Sequence, residues 1–138
     1  MSEVVEKVHK WLEWYDNNSE KATIQQLLTF QDKLSVLSCN LGQMVAKQSG
    51  NYLRAYFARK LAFSDKKMVF VKDGEKLGVA EEKARLQIQE QKETEIQNEE
   101  IYQDLKLTLS QVNRVLQCAQ QRISFERQEY DRMHKLSQ

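Results

Sequence analysis

A chain of 138 residues with no proline, four glycines, 41% hydrophobic and 30% charged side chains is sized for one helical domain spanning residues 1 to 138. The missing turn residues exclude an all-β or collagen-like fold and favour long helices. No run approaches the roughly 18 apolar residues of a membrane span, and Met1-Ser2-Glu3-Val4 lacks the basic-then-apolar order of a signal peptide, so an intracellular protein is expected.

In chain order, Val4, Val8, Trp11 and Tyr15 recur at steps of three and four and predict a first helix within residues 1 to 16, stopped by Asp16-Asn17-Asn18-Ser19. A second helix is predicted over 20 to 67. Its seam, Leu27, Phe30, Leu34, Leu37, Leu41 and Met44, belongs to a helix packed lengthwise on another, with a kink expected at Ser49-Gly50-Asn51. Residues 68 to 79 form a connector. There Met68-Val69-Phe70-Val71, the Asp73-Gly74 pair and Lys76-Leu77-Gly78-Val79 allow a small β-hairpin, the other reading being a plain loop. From Ala80 no breaker intervenes, so one long helix is expected over 80 to 135. Tyr102, Leu109, Leu116, Ile123 and Tyr130 repeat at sevens, with Leu105, Val112, Ala119 and Met133 between them. The stretch Gln87 to Glu100 is almost wholly polar and should be solvated or held by partners. The fold class is therefore all-α: a long helical hairpin plus a short N-terminal helix, assembling into a helical oligomer through Tyr102, Leu105, Leu109, Val112, Leu116 and Ile123.

The formal charge of +1 hides a sharp division. Residues 47 to 76 hold eight bases against three acids, a net of +5, and residues 81 to 104 hold eight acids against three bases, a net of −5. A polyanion-binding surface beside an acidic segment has this pattern. Within the basic block, residues 51 to 63 interleave three bases with four aromatics, cations for phosphates and rings for unstacked bases. The candidate nucleic-acid-binding residues are Arg54, Tyr56, Arg59, Lys60, Lys66 and Lys67, while the helical spacing of Phe57 places it in the core. Trp11 and Trp14, three apart, cannot both be central to one narrow stripe, and packing is their expected role, helix-to-helix contact between subunits being able to cover both. Cys39 and Cys118 are expected as reduced, half-buried fillers. His9 and His134 lie near opposite termini, no glycine-rich phosphate loop occurs, and the paired carboxylates lack apolar surroundings. Neither catalysis nor a metal or other cofactor is expected.

The order of these features, an amphipathic helix, a long helix ending in the aromatic-basic residues 56 to 60, a glycine-containing connector and the helix entering Glu99-Glu100-Ile101-Tyr102-Gln103-Asp104-Leu105-Lys106, resembles the UvsY-type recombination mediators of tailed phages. The likeness covers roughly residues 20 to 135 and is one of layout, with few fixed letters. It implies a single-stranded DNA-binding oligomer that helps load a RecA-class recombinase onto strands coated by single-strand binding protein, in the cytoplasm of an infected bacterial host. The family's Ala-Arg falls on Ala58-Arg59. Phe57 stands where the family has lysine, and Lys60 follows instead, so Arg59 alone carries over directly. The competing reading is a helical structural or adaptor protein of a virion or other assembly, in which the basic segment docks on an acidic protein surface, such as the 81 to 104 block of a neighbouring subunit.

Overall fold

The computed structural model describes residues 2 to 137. Its elements are α1 (Glu3–Asn18), α2 (Ile24–Lys72), α3 (Leu77–Gln87) and α4 (Gln89–Leu136), with no strand among the described residues. The chain is all-α. Two compact units form: one from residues 1 to 44 and 106 to 138, the other from residues 45 to 105.

Local chemistry sets the helix ends. Ser2 caps α1, its Oγ accepting the Val5 N–H at 3.2 Å, and Glu3 and Glu6 lie at the positive end of the helix dipole. At the other end, the Asn18 amide donates to the Trp14 carbonyl at 2.8 Å. Thr23 and Gln26 open α2 with a reciprocal capping box. The Thr23 Oγ1 accepts from the Gln26 N–H at 3.1 Å, and the Gln26 Oε1 accepts from the Thr23 N–H at 3.0 Å. Helix α2 then runs through Gly42 and Gly50 to Lys72 as one helix.

The β-hairpin considered for residues 68 to 79 is absent. Met68-Val69-Phe70-Val71 continues α2 to Lys72, and Gly74, at φ +90°, closes the helix. The Glu75 N–H reaches the Phe70 carbonyl and the Gly74 N–H reaches the Val71 carbonyl, both at 3.1 Å. This pair of bonds is the Schellman motif. Positive φ at an Asp-Gly pair serves a hairpin turn and a helix stop equally well. The neighbouring residues decide between them, and here they remain helical.

The long third helix is divided at Ile88, whose φ of −108° and ψ of 22° separate α3 from α4. No proline or glycine is involved. The Gln89 side-chain amide instead donates to the Arg85 carbonyl at 3.3 Å, the acceptor that an uninterrupted ladder would use. Ile88 itself is buried at the junction.

In the unit formed by residues 1 to 44 and 106 to 138, three helices supply a conventional apolar core. Val8 comes from α1, Leu27, Phe30, Leu34, Leu37 and Leu41 from α2, and Val112, Ala119 and Ile123 from α4. Phe30 is fully buried and is the aromatic hub. Tyr15 stacks on it at 5.0 Å between ring centroids, Trp14 at 5.4 Å, and Trp11 meets it edge-on at 6.0 Å. Both tryptophans thus pack within one chain. Burial and the nearby Cys118 hold the Tyr15 hydroxyl above its ordinary pKa, while Arg122 opposes the shift. Polar ties complete the unit: Ser38 Oγ donates to Asn113 Oδ1, and Arg122 Nη2 to the Glu20 carbonyl, each at 3.1 Å.

The heptad series of α4 is used inside the chain. Val112, Ala119 and Ile123 are buried, and Tyr102, Leu105, Leu109 and Leu116 half-buried, whereas Tyr130 and Met133 are exposed. Of the six residues expected to join subunits, Val112 and Ile123 are thus buried within the chain and the other four are partly covered by it. The reason is geometric, because a lengthwise seam on one helix is satisfied as well by a helix of its own chain as by a neighbour's. Cys39 and Cys118, expected as half-buried, are exposed free thiols.

Replacing Phe30 with alanine removes the shared partner of three rings and is expected to cost about 3 to 5 kcal/mol of unfolding free energy. Urea titration followed by circular dichroism measures it. A loss under about 1 kcal/mol would show that the rings are held without Phe30.

Candidate functional site

The unit of residues 45 to 105 collects the charge blocks and all six candidate nucleic-acid-binding residues, and it has a different interior. Its buried apolar side chains are Ala55, Ala80, Ala84 and Ile88, joined by the buried Gln48. Alanines let helices approach closely but remove little apolar area from water, since the gain scales with that area at about 25 cal/mol per Å². Polar contacts between α2 and the following helices supply the rest.

Gln48, Arg59 and Lys67 meet Asn98, Glu95 and Glu81 in opposite chain order, as in an antiparallel helix pair, and Tyr52 to Tyr102 is the one contact out of that order. The Gln48 amide donates to the Asn98 carbonyl at 3.0 Å and to Asn98 Oδ1 at 3.1 Å. Tyr52 stacks on Tyr102 with centroids 6.1 Å apart and planes 7° from parallel. Arg59 Nε donates to Glu95 Oε2 in a direct ion pair, with the two side chains only 28% and 13% exposed. Lys67 Nζ lies 3.8 Å from Glu81, and Lys83 pairs with Glu75 while lying 5.7 Å from the Phe70 ring centroid. Partial burial, followed by the Glu99 and Glu95 carboxylates, holds the Tyr52 hydroxyl above its ordinary value, with Arg59 opposing. The polar stretch 87 to 100 is therefore engaged by α2 through Glu95 and Asn98. Gln91 is an exception, its Oε1 buried without a hydrogen-bond partner.

The six predicted binding residues are distributed unevenly on this framework. Arg59 and Lys67 point at carboxylates of their own chain. Tyr56 is half-buried, with Lys60 Nζ 4.6 Å and Arg59 Cζ 5.4 Å from its ring centroid, so cations of the same helix already occupy its ring. Arg54 is exposed, and its Nη2 donates to Asn51 Oδ1 at 2.6 Å. Lys60 and Lys66 are exposed and have no carboxylate within ion-pair distance among the described residues. Arg59 also borders a cleft of about 320 Å³ with Phe63, Arg85, Ile88, Gln89 and Lys92, where Arg85 is bound by Glu82 at 3.0 Å. No group of three or more histidine, cysteine, aspartate or glutamate side chains is arranged to hold a metal among the described residues.

Phe57, placed in the core by its helical spacing, is 62% exposed. Leu53, Leu61, Met68, Val69 and Val71 are exposed with it. The face of α2 turned inward is that of Gln48, Ala55 and Arg59, and the larger apolar side chains lie elsewhere on the helix. The row through 57, 61, 64, 68 and 71 lies on the other side of α2 from 48, 55 and 62, and only the latter continues the row begun at Leu27.

No protein-family model, curated protein or solved structure matches the chain. The resemblance to UvsY-type mediators rests on the order of sequence features alone. Among the described residues, no helix is long and apolar enough to cross a membrane.

Two measurements follow from this geometry. A double-mutant cycle of Arg59→Ala and Glu95→Ala is expected to give a coupling of about 1 to 2 kcal/mol, above the 0.2 to 1 of exposed pairs, because both side chains are largely covered. A coupling under about 0.3 kcal/mol would identify a solvated pair. Tyr52 keeps its proton to higher pH folded than unfolded, so its contribution to stability is complete below the ordinary value of 10.0 and is lost as pH rises through the folded pKa. The alkaline tail of the tyrosinate absorbance titration should lose amplitude in Tyr52→Phe; an unchanged tail assigns late ionisation elsewhere.

Proposed function

We propose that the chain is a non-enzymatic helical adaptor, which binds another protein through the outward face of α2 in the unit of residues 45 to 105. The observation that carries this reading is the engagement of Arg59 by Glu95, with Lys67 beside Glu81, while Phe57, Leu61 and Met68 are exposed. The cations that most define the mediator reading are drawn inward, and large apolar surface is left outside. Exposed apolar side chains in a row mark protein interaction more than they mark solubility.

The mediator reading has its own supporting observation, the exposure of Arg54, Lys60 and Lys66 around an exposed Phe57. Magnitudes separate the two. Six phosphate contacts on a single strand give a salt slope near −4 and about 300-fold weakening over a fourfold rise in salt, whereas three contacts give a slope near −2 and about 20-fold. On the adaptor reading, fluorescence polarisation of a labelled oligothymidine shows only weak binding at about 0.15 M salt, with the shallower slope. Tight binding with the steep slope, abolished by Arg59→Ala/Lys60→Ala, would overturn the adaptor and favour the recombination mediator that acts with single-stranded DNA, a RecA-class recombinase and single-strand binding protein.

A further inference from the structure

The second half of α2 carries a heptad row of exposed side chains. Phe57, Leu61, Ser64, Met68 and Val71 follow at alternating steps of four and three, the spacing that keeps side chains on one seam of a supercoiled helix pair. Phe57 is 62% exposed, Leu61 64%, Met68 49% and Val71 37%. At 1.5 Å per residue the row is about 21 Å long, two heptads. The opposite side of the same helix holds Gln48, Ala55 and Arg59 against the following helices. On this helix Gln48, Ala55 and Arg59 are covered while Phe57, Leu61 and Met68 are left outside, the reverse of what stability alone selects.

We infer that this row is the docking seam for an amphipathic α-helix of another protein whose flanking positions are acidic. The inference rests on the adaptor reading and supplies its partner's chemistry. Charge is what selects the occupant. In heptad register, Lys60 and Lys67 flank the row on one side, Asp65 and Lys72 on the other, and Arg54 stands on the seam one turn before Phe57. Lys60 and Lys72 have no carboxylate within ion-pair distance among the described residues. A helix with glutamates at its flanking positions answers these cations.

The other occupants fit less well. A second copy docked through the same row in antiparallel register sets Lys60 and Lys67 against the same residues of the copy, and in parallel register it sets Lys67 against Lys72 while Lys60 meets Asp65, one repulsive pair against one attractive pair. Like charges so opposed are destabilising. A membrane surface takes a broad apolar face, whereas this row is narrow and has Ser64 at its middle and Asp65 beside it. For a DNA strand, Leu61, Met68 and Val71 offer neither charge for a phosphate nor a ring for a base.

The test uses the full chain and two labelled synthetic helical peptides of four heptads, leucine at the seam positions of both, glutamate at the flanking positions of one and lysine at those of the other. Anisotropy at about 0.1 M salt is expected to show the glutamate peptide binding at least 10-fold tighter. Lys60→Glu/Lys72→Glu should abolish or reverse that preference. Phe57→Ser/Leu61→Ser should weaken binding at least 10-fold while the thermal midpoint by circular dichroism stays unchanged, because both side chains are exposed. Equal binding of the two peptides, no binding of either, or binding that survives Phe57→Ser/Leu61→Ser overturns the inference. So does a mass by light scattering that is a dimer in the original chain and a monomer in Phe57→Ser/Leu61→Ser, which assigns the row to a second copy. Competition by oligothymidine or by phosphatidylserine vesicles for the glutamate peptide overturns it in favour of that ligand. Failure of the peptides with no steep, salt-dependent DNA binding sinks this inference alone; tight DNA binding sinks the adaptor reading itself.

Discussion

The inward face of α2 changes chemistry along its length, and the two units differ because of that change. Through Leu27, Phe30, Leu34, Leu37 and Leu41 the face is large and apolar, and it is covered by a core that needs few polar contacts. Through Gln48, Ala55 and Arg59 it is small or polar. Burial there supplies little, so helix pairing depends on matched hydrogen bonds, a stacked tyrosine pair and ion pairs. A buried polar framework of this kind is costly wherever a partner is missing, as at the Gln91 carbonyl oxygen.

The opposed charges of residues 47 to 76 and 81 to 104 are best understood within that framework. Arg59 and Glu95 each require a partner because each is largely covered, and the antiparallel course of the chain brings them together. The charges farther out, at Lys60 and Lys72, are under no such demand. A basic segment can therefore be structural on one side and available on the other, and its net charge does not say how many of its cations reach solvent. Counting bases overstates the phosphate-binding capacity of this segment for that reason.

Much of the fold was legible in the residues. Proline absence and apolar spacing predict helices, and the Leu27 to Leu41 row is the core that its period indicates. The Thr23 to Gln26 capping box places the start of α2 at Ile24 rather than near Glu20, a local signal readable without coordinates. Asp73-Gly74 was ambiguous for a physical reason: it specifies a backbone angle, and both a hairpin turn and a helix stop use that angle. The break at Ile88 had no composition signal, since neither proline nor glycine stands there and the residue's φ of −108° and ψ of 22° are set where it is buried.

By itself the sequence determined that the chain is helical and that its charge is divided into opposed blocks, because periodicity and composition act over a few residues at a time. Tertiary structure decided which of two overlapping seams on α2 faces inward, that the α4 heptads pack within the chain, and that Arg59 meets Glu95 while Phe57 meets solvent. Rows offset by two residues, such as 55 and 59 against 57 and 61, lie on opposite sides of one helix. Only the helices that pack against it determine which of them is covered.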